Sequence, residues 1–61
     1  MKDFIMIDNA ISGYFAVLMS YDEGLETYLP YQTGIGRYKT RKEAEKEAKM
    51  WAEMEGIEVE L

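Results

Sequence analysis

One segment of this chain carries the start and stop signals of a single α-helix. Thr40 and Glu43 have the three-residue spacing of a capping box, in which the hydroxyl accepts from a backbone N–H of the first turn. Gly56 is suited to end the helix, because glycine enters the left-handed conformation without a steric penalty from a Cβ atom. The segment 40–56 therefore predicts a helix, and its predicted core stripe is Ala44, Ala48, Trp51 and Ala52.

Short segments rich in aromatic and aliphatic residues flank this helix in sequence and are typical of β-strands. Both faces of the second segment are largely apolar, which favours a central position in a sheet. Pro30 cannot donate a ladder hydrogen bond, so the third strand lies at an edge or ends there. The predicted fold is α+β, a small sheet of three to four strands (β-β-β-α-β) with one amphipathic helix packed on one face. The predicted strands are residues 4–7, 14–21, 25–31 and 57–61.

Two turns are predicted among the first three strands. Asp8 and Asn9 have side chains that bond their own backbone in turns. Residues 22–24 are predicted as a turn, with Gly24 able to take a positive φ in a short hairpin loop. Residues 32–39 then connect the third strand to the helix.

The composition excludes several kinds of site. The length suits one domain, 1–61, and the chain has no cysteine and no histidine. A disulfide, a zinc site of the usual Cys/His kind and an imidazole base are therefore excluded. The carboxylates do not combine with a nucleophile or a second ligand set at a recognisable spacing, so we expect no catalysis, no metal and no cofactor. No apolar run approaches the roughly 18 residues of a membrane span, and we expect a cytoplasmic protein without membrane contact.

The positive charge of this acidic chain is concentrated in one segment. The net charge is −5, yet six of the seven basic residues lie within positions 37–49. This segment includes the start of the helix, where backbone N–H groups and the helix dipole favour an anion. The segment predicts a candidate anion or nucleic-acid site formed by Arg37, Lys39, Arg41, Lys42 and Lys46.

The tyrosines indicate a different surface. Five tyrosines and two phenylalanines exceed what one helix can cover, and tyrosine and methionine are enriched at protein interfaces. One helix covers one face of the sheet, so an aromatic-rich face is left for a partner protein or for a second copy of the chain. The candidate partner-binding residues are Tyr14, Tyr21, Tyr28 and Tyr31.

The start of the helix resembles a known family. Residues 38–46, with the sequence YKTRKEAEK, are similar to the helix opening of the arm-type, AP2-like N-terminal DNA-binding domains of phage integrases. The resemblance covers residues 13–56 and implies a three-stranded sheet packed on the helix, with the sheet entering the DNA major groove. It also implies a phage or mobile-element origin, where small acidic proteins often bind and block a host protein.

The charge of the hairpin distinguishes two functional hypotheses. It carries Asp22, Glu23 and Glu26, and no lysine or arginine occurs from position 3 to 36, so these strands lack the main source of DNA affinity. The first hypothesis is a non-enzymatic protein-interaction module. One version of it is a homodimer, and another is a host-directed inhibitor whose carboxylates, including Glu58 and Glu60, imitate DNA charge. The alternative is a nucleic-acid-binding domain that uses the basic residues of 37–49.

Overall fold

A computed structural model describes residues 2–60 of the chain. Three strands come first, β1 (Phe4–Ala10), β2 (Gly13–Asp22) and β3 (Thr27–Thr33). The helix α1 (Arg41–Glu55) and the short strand β4 (Glu58–Glu60) follow. The strands form one sheet in the order β3-β2-β1-β4, in which β4 is parallel to β1 and the other pairs are antiparallel. The predicted α+β fold with the order β-β-β-α-β is confirmed.

Both predicted ends of the helix are confirmed. The Thr40 hydroxyl accepts a hydrogen bond from the Glu43 backbone N–H at 3.3 Å and donates one to the Glu43 carboxylate at 3.0 Å. Gly56 has a φ of 70° and ends the helix in the left-handed conformation. The backbone N–H of Ile57 then reaches the Ala52 carbonyl at 3.0 Å, so the last turn is closed as the chain leaves for β4.

The core lies between the helix and one face of the sheet. The helix contributes only alanines to the fully buried set, and these small side chains let its backbone approach the strands closely. Trp51, expected as part of the core, is half-buried and packs against the margin of the buried cluster. The fully buried residues of this cluster are Ile5, Ile7, Ala16, Leu18, Ala44, Ala48 and Ala52.

The predicted positions of the second and third strands in the sheet are confirmed. β2 lies between β1 and β3, as its two apolar faces indicate, and β3 with Pro30 is an edge strand. The pairing of β2 with β3 shifts register between Leu18 and Met19, which is a β-bulge or similar irregularity. The predicted fourth strand is confirmed over Glu58–Glu60, and Leu61 lies outside the described residues.

One turn prediction is wrong, and the other is right about the β2–β3 turn but not about its residue of positive φ. Asp8 and Asn9 belong to β1, where they pair with Phe15 and Tyr14, and the turn follows at positions 11–12. Cross-strand pairing has overridden the turn tendency of these two side chains. In the β2–β3 turn, the residue with a positive φ is Glu26 at 54°, and Gly24 does not have one. The third strand consequently starts at position 27, two residues later than predicted.

Gly13 is required by a close approach of two backbone segments. Its φ is 124°, and a Cβ atom there would lie 2.5 Å from the Tyr38 carbonyl oxygen. The crowding arises because Tyr14 and Tyr38 exchange backbone hydrogen bonds of 2.8 and 2.9 Å next to it. The start of β2 is thereby tied to the connection that leads into the helix.

No helix within residues 2–60 is both long and apolar enough to cross a membrane.

We predict that alanine is tolerated far less well at Gly13 than at Gly56. Both glycines have positive φ, but a Cβ at Gly56 has no neighbour within 4 Å. Gly56→Ala should cost about 1–2 kcal/mol for the left-handed conformation alone. Gly13→Ala should cost about 3 kcal/mol or more, because the Tyr38 backbone must also move.

Urea unfolding followed by Trp51 fluorescence measures both free energies. Equal losses in the two variants would show that the Tyr14–Tyr38 bridge adjusts freely and does not constrain position 13.

Candidate functional site: the open face of the sheet

The candidate site is the face of the sheet that points away from α1, here called the open face. Ile5 and Leu18 are paired across β1 and β2 and face the helix. Because side chains alternate along strands, the residues on either side of them in sequence face the opposite way. Among residues 2–60, no helix or strand packs on this second face. Its side chains are Phe4, Met6 and Asp8 of β1, Phe15, Val17, Met19 and Tyr21 of β2, Tyr28, Pro30 and Thr33 of β3, and Glu58 and Glu60 of β4. Val17, at the centre of these strands, is buried.

An aromatic cluster forms one end of the open face. The rings of Phe4 and Tyr28 are 4.8 Å apart at 68°, and those of Tyr21 and Tyr28 are 5.2 Å apart at 71°. Such edge-to-face pairs contribute about 0.5–1.5 kcal/mol each beyond the area they bury. The Tyr28 hydroxyl also donates to the Lys2 carbonyl at 2.9 Å. The central ring of this cluster is therefore held by contacts on both sides and by its hydroxyl.

Arg37 lies over the other end of the open face. Its guanidinium carbon is 4.4 Å from the centre of the Phe15 ring, a cation–π distance. One guanidinium nitrogen donates to the carbonyl oxygens of Gly34 at 2.9 Å and Gly36 at 3.1 Å. This cation is therefore fixed by its own connecting segment.

Carboxylates border the open face along β4 and the end of β1. Glu58 is opposite Phe4 and Glu60 is opposite Met6 in the parallel register, so both carboxylates share the face of these apolar side chains. Asp8 continues the border on β1, where one carboxylate oxygen accepts from the Asn9 backbone N–H at 2.8 Å. Within the described part of the chain, none of these three carboxylates forms an ion pair. We call Asp8, Glu58 and Glu60 the acidic border.

The structure brings together two of the four predicted tyrosines. Tyr21 and Tyr28 share the open face, and their rings are in contact. Tyr14 faces the helix and packs against the buried core. Tyr31 is 72% exposed and falls at the register shift of β3, where it has no partner on β2. The four tyrosines therefore do not form one surface.

Sequence reasoning missed several apolar members of the open face. Phe4, Met6 and Met19 were not proposed as site residues, although they are the neighbours of the two tyrosines on this surface. The signal that finds them is the alternation along β1 and β2, read outward from the buried isoleucines.

The predicted basic residues are divided between two sides of the molecule. Arg37 stacks on the open face, whereas Lys42 and Lys46 are exposed on α1, which covers the opposite face. Arg41 forms an ion pair with Glu45 at 3.4 Å, and Lys39 is exposed before the helix. The exposed helix lysines therefore do not converge with Arg37.

Residues 34–38 of the connecting segment also contact the helix through Glu47. Cβ atoms at Gly34 and Gly36 would clash with the Glu47 carboxylate, and one at Gly36 would also meet the Tyr38 hydroxyl. A hydrogen bond to Glu47, partial burial, and the negative charges of Glu47 and Glu43 raise the pKa of Tyr38 above its usual 10.0. The absence of a Cβ atom at these two glycines therefore allows the connecting segment to approach the helix closely.

Comparison of the chain with protein-family models, with curated proteins and with solved structures finds no match.

We predict that Tyr38 makes stability fall as the pH rises above about 10. The raised pKa means that the folded state holds the phenol proton more tightly than the unfolded state. The resulting stabilisation is complete below the usual pKa and is lost as the pH rises through the raised value. Urea unfolding of the wild type and of Tyr38→Phe, measured from about pH 8 to 11, isolates this contribution.

The wild type should lose stability more steeply with pH than Tyr38→Phe. Tyr31→Phe is the matched control, since it removes an exposed hydroxyl from β3 and should retain the wild-type slope. Glu47→Gln should lower the pKa of Tyr38 toward 10.0, which absorbance titration against Tyr38→Phe measures. A wild-type slope in Tyr38→Phe would contradict the assigned role of the Glu47 contact.

Proposed function

We propose that this chain is a non-enzymatic protein-interaction module that binds another polypeptide through its open face. The observation that carries the proposal is a sheet face of aromatic and aliphatic side chains on which no other element of residues 2–60 packs. The rings and methionines of this face are half-buried by one another, so part of each stays accessible. Contiguous apolar side chains that stay accessible on a surface often mark an interaction site. Tyrosine, phenylalanine and methionine, which dominate this face, are the residues that protein interfaces favour.

The geometry of the aromatic cluster also supports binding. Phe4, Tyr21 and Tyr28 fix one another edge to face, and Tyr28 is further held by its bond to the Lys2 carbonyl. Side chains that are already ordered lose little conformational entropy when a partner covers them. Less binding free energy is therefore lost to ordering these side chains.

A version of the proposal places the chain in a phage or mobile element, acting in the cytoplasm as an inhibitor of a host protein. The resemblance of residues 38–46 to integrase arm-type domains motivates this version. The alternative, nucleic-acid binding through Arg37, Lys39, Arg41, Lys42 and Lys46, has less support. Phosphate contacts need cations that converge on one strand or groove, but Arg37 lies on the other side of the sheet from the helix lysines and Arg41 is paired with Glu45.

We predict that peptides selected for binding to this chain contact the open face. A random-peptide display library panned against the immobilised full chain supplies the ligands, and their affinities are then measured on variants. Met19→Gln should weaken them by about tenfold, because an amide replaces an apolar contact at the centre of the face. Tyr21→Ala with Tyr28→Ala should weaken them at least as much, provided that circular dichroism shows the fold retained.

Met54→Gln is the matched control, since it makes the same change at a methionine that is 83% exposed on the helix. Peptides should bind this variant as they bind the wild type. Equal losses at Met19 and Met54, or no loss at either, would refute the open face as the binding surface.

A further inference from the structure

We propose that the partner of the open face is a cationic polypeptide, one that presents lysine or arginine beside apolar side chains, rather than a second copy of this chain. The inference rests on the proposed function and specifies the chemistry of its partner. It is carried by the position of the acidic border directly beside the apolar side chains of β1.

The register fixes how close the two kinds of side chain are. Glu58 is paired with Phe4 and Glu60 with Met6 on adjacent strands, which lie about 4.8 Å apart in a sheet. A segment whose apolar residues cover Phe4 and Met6 therefore places its neighbouring side chains over these two carboxylates. Lysine or arginine at those neighbouring positions would reach them, whereas an apolar or acidic residue would leave them buried without a partner.

The chain itself supplies little positive charge to this surface. Arg37 is the cation stacked on the open face, and it is already engaged by Phe15 and by the carbonyls of Gly34 and Gly36. It lies at the Phe15 end of the open face, whereas Glu58 and Glu60 lie at the Phe4 and Met6 end. Lys2 lines a shallow cavity with Glu58, but no ion pair joins them within residues 2–60, so both carboxylates can pair with a partner's cations. An ionised carboxylate that is covered without a partner is costly, and this cost selects for a cationic ligand.

A second copy of the chain fits this surface poorly. Two open faces in contact would bring together six border carboxylates, three from each copy, and two guanidinium groups that are already engaged. Each copy also carries a net charge of −5, so the copies repel each other as they approach. The same charge attracts a cationic partner and raises its rate of association.

Three synthetic peptides of matched length test the inference. All carry the same alternating apolar residues, with lysine, glutamine or glutamate at every intervening position. Each is titrated into the isotope-labelled full chain, and amide shifts locate the contact surface. The lysine peptide should shift amides of β1, β2 and β4 and bind at least about tenfold more tightly than the glutamine peptide, with the glutamate peptide weakest.

Two double variants separate local from overall charge. Glu58→Gln with Glu60→Gln should remove most of the preference for lysine. Glu53→Gln with Glu55→Gln removes the same two charges from exposed positions on the helix and should retain that preference. Equal losses in the two double variants would overturn the inference, because net charge alone would then explain the attraction.

Other outcomes separate this inference from the proposed function. A glutamine peptide that binds the open face as tightly as the lysine peptide overturns the cationic partner and leaves the interaction module standing. A dimer found by sedimentation equilibrium and dissociated by Met19→Gln does the same, since the occupant is then a second copy. If no peptide shifts open-face amides and the chain sediments as a monomer, both proposals fail.

Discussion

The close contact of three alanines with the sheet is the constraint on which the rest of this structure depends. Ala44, Ala48 and Ala52 bury little area of their own, but they bring the helix backbone near enough for the larger side chains of Ile5 and Leu18 to fill the space between. A larger residue on this side of the helix would push it away from the strands. With one helix docked on one face, the apolar side chains of the opposite face have to be covered by one another or by a partner.

The connection between β3 and α1 links the two sides of the sheet through two adjacent residues. Tyr38 pairs with Tyr14 on β2, and its side chain meets Glu47 of the helix. Arg37, one position earlier, points to the other side and stacks on Phe15. Alternation along an extended segment explains this division. The pairing of Tyr38 with Tyr14 thus also places Arg37 over the open face.

The sequence predicts elements better than it predicts which side chains share a surface. The helix could be located because Thr40 and Gly56 act locally, through bonds within one turn. The turn predicted at Asp8 is wrong because the turn tendency of its side chain is weaker than seven consecutive pairings between β1 and β2. The four tyrosines were grouped by residue type, although Tyr14 lies two residues from buried Ala16 on β2 and so faces the helix. The basic residues were grouped because they are close in sequence. Closeness in sequence does not place them on one surface, because side chains of the connecting segment alternate between the two sides of the sheet, as Arg37 and Tyr38 do.

The aromatic cluster and the acidic border make different contributions to recognition. Phe4, Tyr21 and Tyr28 stabilise one another in the free chain, so the cluster supports a small fold and also presents a rigid surface. The carboxylates of Glu58 and Glu60 add little to the fold, since neither forms an ion pair within residues 2–60. Their effect arises when the surface is covered, because an apolar partner without cations would have to desolvate them. Apolar contact would then give affinity, and the border would decide which apolar partners are accepted.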